Sequence, residues 1–370
     1  MKVLHAFKVY KPHRGGIVST IDQLAHAWPD VQSGVLACVS GSEFGQRSED
    51  DGVPVVKAGS IGHLMSMPLS ISYPILFRRM AKQADVIAYH YPFPLIDLSV
   101  AAGFAGKTGL VVHWHSEVVQ QRMAATALRP LMRRCLERAD RIIVSTPAHI
   151  DISDLLAPHR DKCEVIPFGV DASKWAMDEA DVRPDWRERP PFLLAVGRLV
   201  PYKGFDVLLA ALGRTSARLV LIGDGPERSR LEKMTATLGL GDRVDFLGDV
   251  DEHTLKHLMN ACHAFVLPSV SQAETFGIVQ LEVMSCGKPI INTDAHPGIG
   301  WVARDGFEAL TVPAGNVDSL AAAIERIWQD EALAIKLGAA GSDRVRGMFS
   351  KEKFFEKVHA TYEKVSVRRR

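Results

Sequence analysis

Short apolar runs alternate with amphipathic stretches along nearly the whole chain, and this alternation leaves few folds open. In the N-terminal half the strand-like runs are KVLHAF, SGVLACVS, VPVVKA, DVIAYHY, GLVVHWHS, RIIVST and CEVIPFG. Helix-like stretches such as residues 17–27 and 128–139 lie between several of them. A parallel sheet covered by helices has this pattern. The polar, proline-bearing stretch MDEADVRPDWRERPP interrupts it, and residues 171–190 read as an interdomain linker. Alternation then resumes through FLLAVGRL, ARLVLIGDG, RVDFLGDV, AFVLPS, KPIINTD and ALTVPAG. The 370 residues exceed what one hydrophobic core serves well. The expectation is an α/β protein of two doubly wound, Rossmann-like domains, residues 1–170 and 191–350, facing a cleft. Residues 351–370 read as one amphipathic helix crossing back to the first domain.

Composition narrows the function classes. A net charge of +1 gives no whole-molecule attraction to nucleic acid. Five cysteines, scattered and without a C-x-x-C pair, read as reduced thiols of a cytoplasmic protein. Met1 leads directly into KVLHAF, so no signal peptide is expected. The sequence has no apolar run long enough to span a membrane.

Candidate chemistry gathers after strand-like runs. In AETFGIVQLEVMSCGKPII, Glu274 precedes Phe276 and Gly277, and Glu282 falls just over one turn into the helix that follows. A helix N-terminus offers unpaired N–H groups to phosphate. Carboxylates suit sugar hydroxyls. Alone, this spacing fits an exposed loop acid and a solvent-face acid equally well. In AVGRLVPYKGFDVLLAAL, Arg198 and Lys203 lie in a turn between Gly197 and Gly204. Two cations at the carboxyl end of a strand suit a diphosphate. The ordinary alternative is two solvated cations. Gly15 and Gly16, between a strand and a helix, admit close backbone approach or simply a tight turn.

Taken in order, P-x-x-GGI, VGRLVPYKGFDVLLAA, LIGDGPE, FLGDV, LPS and ETFGIVQLEVMSCGKPII resemble the retaining glycosyltransferases of family 4, which have the GT-B fold. The resemblance covers most of the chain and is strongest from Ala195 to Ile291. It implies that Arg198 and Lys203 neutralise the donor diphosphate, that Glu282 holds the ribose hydroxyls and that Glu274 meets the donor sugar. It places the backbone of Phe276, Gly277 and Ile278 at phosphate and sugar, Val250 at the base, and Gly15–Gly16 beside phosphate and acceptor. His115, at the end of VVHWHS, matches a histidine near the transferred sugar. Thr275, Val283 and Ala309 depart from the family pattern.

VSQAETFGIV and NTDAHPGIGWV are similar to bacterial mannosyl- or rhamnosyl-type transferases of surface polysaccharide synthesis. This implies a nucleotide diphosphate sugar donor, GDP-mannose favoured over UDP-hexoses, and a glycan or lipid-linked glycan acceptor. It implies no cofactor and no metal. A cytoplasmic enzyme, peripheral on the inner face of the membrane, fits such an acceptor. LRPLMRRCLERADR, with Arg129, Arg133, Arg134 and Arg138, reads either as a membrane-facing helix or as a solvated basic one, with Arg78, Arg79 and Lys82 adding charge.

Rival readings remain. Asp249 and Asp251 form a D-x-D metal motif, although Asp251 also suits a helix N-cap. LIGDGPERSR imitates a dinucleotide fingerprint but carries Arg228 in place of the third glycine. His113 and His115 share a strand face, without further zinc ligands at workable spacing. A non-catalytic nucleotide-sugar binder and a sugar-nucleotide epimerase use similar folds.

Overall fold

The computed structural model describes residues 1–13, 15–40, 45–64, 67–116 and 122–367. They divide into two compact units, one of Met1–Pro167 together with the segment from Phe354, the other of Phe168–Lys353.

The first unit contains β1 (Lys2–Ala6), β2 (Gln32–Ser40), β3 (Gln46–Asp50), β4 (Val53–Ser60), β5 (Gly62–Leu64), β6 (Met67–Leu69), β7 (Val86–Tyr91), β8 (Gly109–Trp114), β9 (Arg141–Val144) and β10 (Cys163–Val165). Eight of these form one sheet in the order β10-β9-β8-β7-β1-β2-β4-β3, with β5 and β6 as a separate hairpin. Every pair in the large sheet is parallel except β3 with β4. Every residue of β7 and β8 is buried, as strands covered by helices on both faces require. The edge strand β3 (QRSED) is polar and mostly exposed, so hydrophobic patterning gives no sign of it. From the C-terminal helix Lys351–Val367, Thr361 Oγ1 donates to Glu164 Oε2 at 2.7 Å, and Tyr362 lies edge-on to Trp28.

The second unit contains β11 (Leu193–Val196), β12 (Leu219–Ile222), β13 (Val244–Gly248), β14 (Ala264–Leu267), β15 (Ile290–Thr293) and β16 (Ala309–Val312). They form a parallel sheet in the order β13-β12-β11-β14-β15-β16. This is the doubly wound order in which winding reverses between the first and fourth strands, and ligands sit beyond the carboxyl ends at that point. Here the reversal falls between β11 and β14. Alternation along β14 sends Val266 into one apolar layer, with Leu208, Leu221 and Ile324, and Phe265 into the other, with Phe276, Val283 and Phe349.

The stretch expected to be a linker is part of this unit. Trp175, Val182 and Trp186 are buried. Asn260 Nδ2 donates to the Trp175 carbonyl at 2.8 Å, and Arg189 stacks on Trp186 at 4.2 Å. Two tryptophans bury enough apolar surface to outweigh the polar, proline-rich composition around them.

Candidate active site

The turn after β11 carries Arg198 and Lys203. Lys203 ends the short 3-10 turn Pro201–Lys203, and the helix Phe205–Leu212 follows Gly204. Its Nζ donates to Glu274 Oε2 at 2.5 Å, and the two side chains are only 13% and 12% exposed. Ser269 Oγ stands 3.5 Å from the same carboxylate oxygen. Burial works to lower the Lys203 pKa, but the attraction of Glu274 and Tyr202 and the hydrogen bond outweigh it, and the ammonium sits above its ordinary range. The sequence reading kept these residues in separate roles. The structure instead joins them in one largely buried pair, because β11 and β14 are neighbours and their following loops emerge side by side. Arg198 is exposed and makes no ion pair among the described residues.

The LIGDGPE motif buttresses this turn. A Cβ on Gly223 would strike the Gly197 carbonyl, and one on Gly225 the Leu199 carbonyl. Leu199 N donates to the Asp224 carbonyl at 2.9 Å, and Glu227 N to the Leu199 carbonyl at 3.1 Å. The glycines let one turn lie against another beneath Arg198.

After β14 the chain runs through Ser269 and Glu274 to the helix Ile278–Ser285. Gly277 caps the helix at φ 69°, a left-handed conformation that disfavours a side chain. Phe276 turns its ring into the core between Phe168 and Phe349. Gln280, fully buried, donates to the Phe276 carbonyl at 3.0 Å and accepts from Asn292 at 2.9 Å; Asn292 in turn accepts from Thr311 at 2.7 Å. This network fixes the entrance of the helix and escaped the sequence reading. A glutamine inside an apolar helix was its only visible signal.

Glu282 lies half-buried in that helix, with no hydrogen bond or ion pair to its carboxylate among the described residues. Burial pushes its pKa up to about 7 against the pull of Lys174. Val250 follows β13 and packs partly against the apolar layer of Phe265 and Phe276. Asp251 accepts from Thr254 N at 2.7 Å and caps the helix Glu252–Ala261, while Asp249 is exposed.

In the first unit, Gly15 precedes the helix Gly16–Ala25 at φ 151°, with open space where a Cβ would stand. His115 follows β8, buried, with Nε2 3.0 Å from His90 Nδ1. His113 Nε2 meets Tyr362 Oη at 2.7 Å, a structural contact with the C-terminal helix. Among the described residues, Asp22, His26 and Asp50 alone have spacing suited to a metal, but Lys11 Nζ already lies 2.7 and 2.9 Å from the two carboxylates. The basic residues divide as well. Arg138 donates inward to the Thr108 carbonyl at 2.6 Å, and Arg129 approaches Asp154 at 3.5 Å, whereas Arg133 and Arg134 are exposed.

Two Rossmann-like domains, the second with a cationic turn at its switch point, have the architecture of the GT-B fold. Residues 177–344 match the family Glycosyl transferases group 1, and residues 15–169 match the Glycosyl transferase 4-like domain. The D-rhamnosyltransferase WbpZ of Pseudomonas aeruginosa is 33% identical over 369 residues, which cover 95% of this chain and 92% of that one. The O-antigen chain mannosyltransferase C of Escherichia coli is 30% identical over 356 residues, 95% of each chain. HepE of Anabaena in complex with UDP superposes with a TM-score of 0.83 at 22% identity, covering 98% of this chain and 100% of that one. The chain belongs to the group 1 glycosyl transferases.

Proposed function

We propose that the chain transfers a hexose, with GDP-mannose as donor, to a growing lipid-linked glycan, retaining the configuration at the reacting carbon and using no divalent metal. The observation that carries this reading is the grouping of Arg198, Lys203 and the N-terminus of the helix Ile278–Ser285 around the β11–β14 switch point. A departing nucleoside diphosphate gains negative charge, and fixed cations with a helix N-terminus are one way to stabilise it. In this reading Glu282 takes the ribose hydroxyls and Val250 lies beside the base. Glu274 and His115 serve the transferred sugar, and the Gly15–Gly16 loop serves phosphate and acceptor. Departure and attack occur on one face of the sugar. Mannose and a surface-glycan acceptor are favoured by the name of the O-antigen chain mannosyltransferase, whereas the other relative is named for D-rhamnose. A UDP-hexose is the second reading, because HepE was solved with UDP and with UDP-glucose.

A lipid-linked acceptor suits a membrane-facing surface. On the helix Ser72–Ala81 and its flanks, exposed Ile71, Ile75, Arg78, Arg79 and Lys82 recur at helical spacing, apolar residues first and cations after. No helix among the described residues is long and apolar enough to cross a membrane.

Thermal-shift measurements across a panel of nucleotide sugars test the donor, since a ligand bound only by the folded chain raises its apparent stability. The largest shift is expected with GDP-mannose. Turnover of that donor, by transfer or by hydrolysis, excludes a binder without activity. NMR of fresh product reads the anomeric outcome, and an inverted product would overturn the retaining mechanism.

A further inference from the structure

A polar cluster of the first unit braces the Gly15–Gly16 loop from both sides. Tyr10 and Lys11 precede the loop, Asp22 lies in the helix Gly16–Ala25 that follows it, and His26 caps the C-terminus of that helix. Asp50 closes the edge strand β3. Lys11 Nζ lies 2.7 Å from Asp22 Oδ1 and 2.9 Å from Asp50 Oδ2, and Tyr10 Oη lies 2.9 Å from each of the same oxygens. Lys57 Nζ of β4 donates to the Lys11 carbonyl at 2.5 Å. The arm before the loop and the helix after it are therefore tied to one another and to the edge of the sheet.

His26 closes the cluster. Its Nδ1 is 2.8 Å from the Asp22 carbonyl oxygen, and its Nε2 is 3.0 Å from the Asp50 carbonyl oxygen. A carbonyl oxygen only accepts, and a neutral imidazole has one N–H and one lone pair. Both bonds together need the doubly protonated ring, which leaves neither nitrogen a lone pair for a metal. The surroundings support that charge. Asp22 Oδ1 is 3.2 Å from Nδ1. A cation suits the C-terminus of a helix. Two carboxylates facing Lys11 alone would keep one unbalanced negative charge, which a protonated His26 cancels. Burial works to lower the His26 pKa, but the two carbonyl bonds and the charges of Asp22 and Asp50 outweigh it, and the pKa stands above its ordinary 6.5. The other titratable groups nearby are uncharged. Burial and the two carboxylates raise the Tyr10 pKa, and burial, with His26, lowers that of His5 on β1 to about 3.

We propose that protonated His26 is a positioning residue that clamps the two arms of the Gly15–Gly16 loop, and that the clamp loosens when the ring loses a proton. A histidine that binds its proton more tightly in the folded chain contributes stability in full below 6.5, and the contribution is lost as pH rises through the folded value. The neutral ring gives up one of its two carbonyl bonds and with it part of the tie between the helix and β3. An effect on transfer rests on the place proposed for Gly15–Gly16 beside phosphate and acceptor; the clamp does not.

The test is nitrogen-15 NMR of the imidazoles in the full chain across a pH series, with His26 assigned from the signals lost in His26→Gln. His26 should stay mostly protonated on both nitrogens at pH 6.5 and titrate with a midpoint above that value. In the parent, hydrogen-exchange protection of residues 16–20 and 46–50 should fall about threefold to tenfold as pH passes the midpoint, as loss of one hydrogen bond implies. The kcat/KM for GDP-mannose should fall by a similar factor. His26→Gln should show neither step. A midpoint at or below 6.5 overturns the proposal without any variant, so a misfolded His26→Gln does not shelter it. Protection that ignores the midpoint overturns the clamp, and a step kept by His26→Gln in either measurement overturns the positioning role. Absence of turnover by the parent, with the midpoint raised, counts instead against the transferase reading.

Discussion

At the β11–β14 switch point the second unit gathers Arg198, Lys203 and Glu274, whereas on β1, β7 and β8 the first unit gathers His5, His90, His113 and His115. The former group lies in the loops that follow parallel strands, the latter on or just past such strands, and both are largely buried apart from Arg198. They meet the cost of burial in opposite ways. The second unit keeps its charges and offsets desolvation with an ion pair; the first keeps its imidazoles neutral and links them by hydrogen bonds. An exposed arginine beside an ion pair suits a polyanion. Uncharged imidazoles suit hydroxyls, where orientation matters more than field. In the proposed function Arg198 and Lys203 take the diphosphate while Glu274 and His115 take the sugar, and each variant below strains a different side of that division.

The largest effect is expected from Lys203→Ala. Removing one partner of a buried pair strands the other, at a cost of about 3–5 kcal/mol, and transfer should fall by roughly a hundredfold or more. Denaturant unfolding and a transfer assay read the two effects. Lys203→Ala with Glu274→Ala should recover much of the stability and none of the activity. If the single variant were as stable as the parent, the buried pair would not have the weight given to it here.

Arg198→Ala comes next. An exposed cation adds little to stability, so unfolding should change by less than about 0.5 kcal/mol. Loss of a charge-assisted hydrogen bond to phosphate, about 1.5–3 kcal/mol, should slow transfer roughly ten- to a hundredfold. Equal destabilisation of the two cation variants would erase the distinction between them.

The carboxylates separate by step. Glu274→Gln should lower kcat more than donor affinity, since sugar contacts meet developing charge, while Glu282→Ala should mainly raise donor KM. Steady-state kinetics on both variants check this. A change confined to KM in each would end the assigned split.

The last variant reads a pH dependence of stability. Glu282 has its pKa raised by burial from 4.5 to about 7. Between those values the folded chain binds more protons at this site than the unfolded chain, so this group makes stability fall as pH rises from 4.5 to about 7. Glu282→Gln removes the penalty. The variant should unfold at higher denaturant than the parent at pH 8, and the difference should close by pH 4.5. A gap that stayed constant with pH would contradict the burial of this carboxylate.

The sequence made the doubly wound fold legible because buried parallel strands are continuous apolar runs, and β7 and β8 are buried throughout. It also singled out the candidate residues of the second unit, since glycines, cations and carboxylates there follow strand ends. The pairing of Lys203 with Glu274 was hidden. It depends on β11 and β14 lying side by side, which strand spacing alone does not reveal. His5 and His90 were hidden for the same reason, because each is an isolated histidine in an apolar strand until register brings them together. Trp175 and Trp186 were misread because local composition around them is that of a loop, and only tertiary packing buries them.

Calorimetric titration of GDP and of guanosine in excess EDTA tests the division of labour most directly. The two ligands differ only in the diphosphate. GDP should bind the parent without metal. Arg198→Ala should weaken GDP roughly tenfold or more and leave guanosine unchanged, while His115→Ala should alter neither. GDP binding that appeared only after magnesium was restored, or that weakened as much in His115→Ala as in Arg198→Ala, would contradict the placement of the diphosphate at the charged switch point.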